Sequence, residues 1–353
     1  MVVQTLGVIA PAGLGEGGLG GAARDFADGA RSVGMPVSYV GSRTLPTPLQ
    51  RIASARPLRH WPLLARELSR RDILGRVPTN VDATYCMPGF IPSGNASRSA
   101  LHQATHHPRV IEEVMKEARR RVGPGRPLAT TFELRYLERE LHRADVIRAE
   151  SQVVAAELVE HGTPADRVVL CPPGVDLERF RPTTKASQLT VAFVGTLSLW
   201  KGVHILEALA QRLKAAGARL VVVGGPVCPW SRRIAERMPF DREHDVAAVL
   251  SGAHALVLPS ISDGFGYVVL EAMASGTVPF VTPQVGAADV VNLIDPRLII
   301  DASEFSEAVP ELLGQLPLDS LAIRCRMVAE QYERRDMGAK AAATVLGTLG
   351  VLP

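Results

Sequence analysis

The stretch from Ala255 to Val281 restricts what this chain can fold into more than any other. Ala255 to Leu258 is an apolar run short enough for a buried parallel strand. Pro259-Ser260-Ile261-Ser262-Asp263-Gly264-Phe265-Gly266 follows. Tyr267 to Ala274 then has helical character and meets a stop at Ser275-Gly276. Val278 to Val281 reads as a second strand. Strand, glycine-bearing loop, helix and strand form the repeating unit of an open parallel sheet. Such a sheet binds ligands in the crevice at the carboxyl ends of its strands. A helix start there offers unpaired N–H groups and the positive end of the helix dipole, which suit a phosphate. Asp263 in the loop and Glu271 about two turns into the helix can accept from hydroxyl groups beside that anion. Taken singly, Asp263 is explained as a helix N-cap worth about 1 kcal/mol, and Glu271 as a solvated helix residue. The whole string suits a ligand that carries both phosphates and hydroxyls, such as a nucleotide sugar.

A chain of 353 residues exceeds the size at which one core keeps growing, so two domains are expected. No apolar run is long enough to span a bilayer. Met1-Val2-Val3-Gln4 lacks the basic start of a signal peptide. Cys86, Cys171, Cys228 and Cys325 are scattered, without a C-x-x-C pair, as buried thiols of a reducing compartment would be. These features set a cytoplasmic expectation. Net charge is only +3, but residues 1–175 hold 22 Lys and Arg against 17 Asp and Glu. The excess gathers in 43–76, where eight arginines oppose only Glu67 and Asp72. A solvated helix face is the simpler reading of that patch. Weak peripheral contact with an anionic membrane face, or with an acidic acceptor, is the sharper one. Trp61, Leu64 and Leu68 at helical spacing are read as core packing first and as shallow lipid contact second. Without aromatic interleaving or a binding module, nucleic acid is not an expected partner.

Along the chain the same unit recurs. Leu6 to Ala10 is a strand that enters a glycine-rich loop holding Gly17, Gly18 and Gly20, then a helix from about Ala22 to Ser32. Glycines there let backbone approach a ligand closely. The next strand ends at Val40-Gly41-Ser42-Arg43, with no acid to hold an adenosine ribose, which counts against a nicotinamide enzyme. Leu101 to Gln103 reads as a strand edge leading to His106-His107-Pro108. Histidine suits catalysis or metal binding, and without a nearby third ligand metal is the weaker reading. Ala144 to Ala149 and Val168 to Cys171 are further strands. Val191 to Gly195, followed by Thr196 and then Lys201-Gly202, opens a second such unit, and Arg219 to Val223 ends at Gly224. A lysine in a strand-to-helix loop beside a crevice can neutralise a diphosphate. Glu304 to Leu316 and Pro317 to Gly347 read as two helices.

Asp263-Gly264-Phe265-Gly266 with Glu271, the Glu271-Ala272-Met273-Ala274-Ser275-Gly276 helix and Lys201-Gly202 resemble retaining glycosyltransferases of the GT-B fold, family 4 type. Three positions depart from that pattern. Asp263 stands where the family usually has Glu, Thr196 where it often has Arg, and Pro173 where its linker has Asn. The resemblance implies an α/β fold of two Rossmann-like domains facing each other across a cleft. It places an acceptor domain at 1–173, a donor domain at 174–330 and a last helix, 331–353, crossing back to the first domain. It implies transfer of a sugar from a nucleotide-diphosphate donor of UDP type, with no metal or other cofactor. The acceptor is left open among a glycan, a lipid-linked intermediate and a small-molecule aglycone. The catalytic set it implies is Lys201, Asp263 and one of His106 and His107. The donor set adds Gly17, Gly18, Gly20, Gly195, Thr196, Gly224, Gly264, Phe265, Gly266, Tyr267 and Glu271. A nucleotide-sugar epimerase and a non-catalytic binder of the same ligand are the alternatives.

Overall fold

The computed structural model describes residues 5–10, 18–41, 70–78, 80–88, 90–92, 98–122, 131–227 and 229–352. Two parallel sheets organise them. The first holds β1 (Leu6–Ala10), β2 (Val37–Gly41), β3 (Ala83–Cys86), β4 (Arg98–Gln103), β5 (Val146–Ala149) and β6 (Val168–Leu170), in the order β2-β1-β3-β4-β5-β6. Its helices are α1 (Gly18–Ser32), α2 (Pro108–Val122), α3 (Thr131–Arg143) and α4 (Gln152–Glu160). The second holds β7 (Thr190–Val194), β8 (Arg219–Val223), β9 (Asp241–Glu243), β10 (Ala255–Leu258) and β11 (Val278–Val281), in the order β11-β10-β7-β8-β9. Around it run α5 (Val203–Ala215), α6 (Pro229–Ala235), α7 (Val246–Gly252), α8 (Tyr267–Ala274), α9 (Ala288–Asn292), α10 (Phe305–Gln315) and α11 (Leu318–Ala329).

The central strands are apolar throughout because helices cover both faces. Leu6 to Ala10, Val191 to Phe193 and Ala255 to Leu258 are all buried. Phe193, Phe280 and Phe305 are fully buried in the second domain. Each contributes about 1.5–3 kcal/mol by leaving water. The exception is β9, whose three residues are exposed and charged. Sequence periodicity gives no strand there. The segment forms one by pairing in parallel with β8 at the sheet edge, where charge discourages further strand addition.

The expected single helix over 317–347 is two. α11 ends at Ala329, a 3-10 turn covers Glu330–Tyr332, and α12 (Arg334–Leu349) starts afresh. The break has a local cause. Glu333 adopts a non-helical backbone, and its carboxylate caps α12 by accepting from the amides of Arg335 at 2.6 Å and Asp336 at 3.1 Å. There the chain leaves the second domain. Ala341, Ala342, Val345 and Leu346 of α12 are buried in the first domain's core beside Phe26. The helices α1 and α12 cross where Gly29 meets Gly338, and a Cβ on Gly29 would overlap the Gly338 carbonyl. The first passage between domains, at Val175, pairs with the second. Val175 donates to Tyr332 O at 2.8 Å and accepts from Arg334 N at 3.0 Å. Gly29→Ala forces α1 and α12 apart and is expected to destabilise the protein by about 1–3 kcal/mol, read as a lower melting temperature. A melting temperature equal to the parent's contradicts the close crossing.

Candidate active site

The site forms because β7 and β10 are neighbours. Ala255 pairs with Val191 and Leu256 with Ala192, although the strands are more than sixty residues apart in sequence. This is the switch point of the second sheet, where the loops after two adjacent strands diverge and leave a crevice. The loop after β7 carries Lys201, and the loop after β10 carries Asp263. Their side chains form an ion pair between Lys201 Nζ and Asp263 Oδ2. Two contacts hold the loops in place. Trp200 O accepts from the amides of Ile261 at 2.8 Å and Ser262 at 3.3 Å. Gly202 has φ 69° and lies so close to Pro259 that a Cβ would strike its carbonyl. A side chain at 202 would meet both a strained backbone and a filled space.

Next to this pair α8 begins. Gly266 caps it at φ 82°, and among the described residues no side chain takes up its first amides. Phe265 is buried and anchors the loop to the second domain's core. Glu271 lies about one turn along α8 on its cleft side. It lines an open pocket with Gly21, Asp25, Arg148, Arg179 and Tyr267. Burial pushes the Glu271 carboxyl up to about 7, with the Arg179 charge pulling against that. Asp25, reaching the same pocket from α1, is likewise pushed up to about 6 by burial, opposed by Arg334 at 3.4 Å.

The first domain closes the cleft from the other side. His106 directs both ring nitrogens at acceptors: Nδ1 lies 2.7 Å from Glu157 Oε1, and Nε2 lies 2.9 Å from Gln284 O. Burial draws its pKa down, but the Glu157 hydrogen bond and charge, with the Gln284 carbonyl, outweigh that and leave it above the ordinary histidine value. Ser151 Oγ donates to Gly264 O at 2.7 Å. The Tyr267 hydroxyl donates to Glu150 Oε1 at 2.6 Å, and Glu150 also meets His102 Nε2 at 2.8 Å. Burial opposes the charge on Glu150, yet His102, Arg148 and the Tyr267 hydroxyl hold its carboxyl low. Burial keeps His102 below the usual histidine value, so it donates from Nε2 as a neutral ring. Arg148 completes the buried set with bonds to Tyr85 at 2.9 Å and Cys171 O at 3.1 Å.

The structure thus gathers His106, Lys201, Asp263, Gly264, Phe265 and Gly266 at one place, with Tyr267 and Glu271 along the helix behind. Gly195 and Gly224 meet at the ends of β7 and β8, with the Gly195 carbonyl where a Gly224 side chain would be. Thr196 is exposed beside them, 3.3 Å from Ser198 Oγ. Gly18 and Gly20 fall in the first turn of α1 rather than in a loop before it, and Gly17 lies outside the described residues. Of the two histidines left open, His107 is placed apart from this group. Its ring packs on His161, 4.3 Å between centroids, and burial together with the His161 charge lowers it to about 4. Pro108 starts α2 directly after it, and of the two histidines it is His106 that bonds to the second domain, at Gln284 O. Sequence reading missed Glu150, Ser151, Glu157 and Gln284. Glu150-Ser151 follow β5 at the carboxyl edge of the sheet, a position that could have marked them. Glu157 is a helix acid without any distinguishing signal. Within the basic stretch 43–76, residues 43–69, including Trp61, Leu64 and Leu68, lie outside the described residues. Among the described residues no group of three or more metal-ligating side chains converges, and no helix is long and apolar enough to cross a membrane.

Two family models match on either side of the linker: Glycosyltransferase Family 4 over residues 17–179, and Glycosyl transferases group 1 over 188–315. The chain belongs to the family 4, group 1 glycosyltransferases. Among curated relatives, D-inositol 3-phosphate glycosyltransferase of Corynebacterium efficiens is 29% identical over 239 residues, covering 58% of this chain and 56% of the relative. The chain spans about half the length of the curated relatives it matches. Among solved structures, sucrose-phosphate synthase of Thermosynechococcus elongatus superposes with a TM-score of 0.74 at 17% identity, covering 99% of this chain and all of the other. HepE of Anabaena, solved in complex with UDP-glucose, gives 0.67 at 15% identity over 98% of this chain and all of its own. These likenesses show the GT-B fold, two parallel-sheet domains about a cleft.

Two outcomes test the site. A Cβ on Gly264 would overlap the Ala104 carbonyl across the cleft, so Gly264→Ala is expected to hold the domains apart and enlarge the radius of gyration in X-ray scattering. An unchanged radius contradicts the close approach. Glu271 accepts hydroxyl hydrogens best when ionised. A nucleoside diphosphate at the pocket should therefore bind more weakly as pH falls through about 7, measured by calorimetry. Affinity that is flat from about pH 8 to about pH 6 contradicts a role for that carboxylate.

Proposed function

We propose that the chain is a retaining glycosyltransferase that moves a sugar from a nucleotide-diphosphate donor to an acceptor. The observation that carries this is the Lys201–Asp263 pair beside the open start of α8. Breaking a glycosidic bond to a diphosphate builds negative charge on the leaving group and positive charge on the sugar. In this reading the incoming diphosphate takes Lys201 from Asp263 and receives the first amides of α8. Preorganised donors of this kind each supply about 3–4 kcal/mol at the transition state. Asp263, released from the lysine, accepts from the sugar's hydroxyls and faces the positive charge that develops there. Glu271 accepts from the ribose hydroxyls. The acceptor attacks the anomeric carbon from the side the diphosphate leaves. Its proton passes to the departing phosphate oxygen, which keeps the anomeric configuration.

Support for a UDP sugar comes from the fold likeness to HepE, which was solved with UDP-glucose. The relatives named as inositol 3-phosphate glycosyltransferases support a hydroxyl acceptor of sugar or polyol type. A thermal-shift screen against nucleotide sugars tests the donor, because a ligand raises the melting temperature according to its affinity. Stabilisation by at least one UDP sugar, above that given by UDP alone, is expected. A shift with other nucleotides and none with any nucleotide sugar overturns the proposal. Lys201→Ala and Glu271→Ala should each lower transfer by about 100-fold or more while melting near the parent temperature. Rates within about twofold of the parent contradict the assigned roles.

A further inference from the structure

We propose that Glu157 is a positioning residue that holds His106 as an imidazolium latch between the domains, closing the first domain over the loop that carries Asp263. The geometry is a relay of three bonds. Glu157 Oε1 takes His106 Nδ1 at 2.7 Å, and Glu157 Oε2 takes the His107 amide at 2.9 Å, so the carboxylate is fixed at both oxygens. His106 Nε2 donates across the cleft to Gln284 O at 2.9 Å. The same carbonyl accepts from the Asp263 amide at 3.2 Å, and Asp263 O accepts from Gly286 N at 2.9 Å. The ring therefore reaches the sugar-facing loop through one carbonyl, without itself pointing at the Lys201–Asp263 pair. Both its neighbours are acceptors, so only the doubly protonated ring satisfies both. A charge-assisted bond of this kind is roughly twice as strong as a neutral one.

The charged groups around His106 agree in sign. Glu157 of α4 and Asp263 after β10 are negative and favour the imidazolium. Lys201 is taken up by Asp263. His107, next in the chain, is held neutral against His161 and does not compete. The folded pKa of His106 is raised, so the latch is present at low pH and lost as pH rises through that value. Above it, the neutral ring turns a lone pair towards the Glu157 carboxylate or gives up the Gln284 carbonyl. Opening frees Gly264 from Ala104 and Ser151, the contacts that otherwise cover the loop. The inference rests on the cleft being the site of the proposed transfer, but its first readouts need no turnover.

The test uses the whole chain and Glu157→Gln. Nitrogen-15 histidine spectra, assigned with His106→Gln, follow the ring nitrogens. The parent His106 should titrate above free histidine with both nitrogens protonated below that point, and Glu157→Gln should bring the midpoint down. X-ray scattering should show the parent expanding as pH rises through the His106 midpoint that the spectra give. Glu157→Gln, whose amide can donate to a neutral ring, should have a radius independent of pH. If transfer is measured, the variant should lose the parent's alkaline limb. A parent His106 that titrates at or below free histidine overturns the latch, and that measurement does not depend on the variant folding. So does a variant that keeps the parent's pH response, or that loses activity equally at every pH. Absence of turnover with all donors counts against the transfer reading alone, because titration and scattering still decide the latch.

Discussion

The parallel pairing of β7 with β10 is the constraint on which the site depends. It places the ends of two strands side by side and sends their loops apart, so Lys201 and Asp263 meet across a gap of 62 residues. Glycines make the approach possible. At Gly202 the backbone is left-handed and the Pro259 carbonyl fills the space of a side chain. The ion pair is a resting arrangement of charge. Each side chain of the pair is satisfied by the other.

The second organising fact is how closely the domains meet. Gly264 and Gly286 abut backbone or Ser151 from facing loops with no room for a Cβ, and Gly29 and Gly338 do the same where α12 crosses α1. Around these small-residue contacts lie polar ones: Ser151 with Gly264, Tyr267 with Glu150, His106 with Gln284. Such bonds are directional and contribute about 1 kcal/mol each in net terms. That is enough to select one closed arrangement and little enough to let it open. The buried Arg148–Glu150–His102 set serves a different purpose. His102 and Arg148 hold Glu150 Oε1 in place within the first domain, so Tyr267 meets a fixed acceptor when the domains close.

Most of the second domain's side of the site was legible in the sequence because it is built from local structure. The strand before Asp263, the glycine at the start of α8 and the spacing from Asp263 to Glu271 are short-range features, and the second domain's strands follow from runs of apolar residues. The first domain's contribution was less legible. His106 and His107 are adjacent and chemically equal in the sequence. Only the start of α2 at Pro108 and the placing of His161 decide that one faces the second domain and the other packs beneath it. Glu157 lies about fifty residues from the ring it holds, so no spacing rule connects them.

The sequence by itself determined the class of fold and the strand, loop and helix that carry Asp263 and Glu271. Those are consequences of apolar periodicity, turn residues and charge. Tertiary structure alone decided that Lys201 and Asp263 bind each other and that α11 and α12 are separate helices serving different domains. It also decided that the protonation of His106 is governed from both sides of the cleft. The physical reason is the same in each case. Charge state and contact depend on distance in space, and here the relevant distances join segments that sequence order keeps apart.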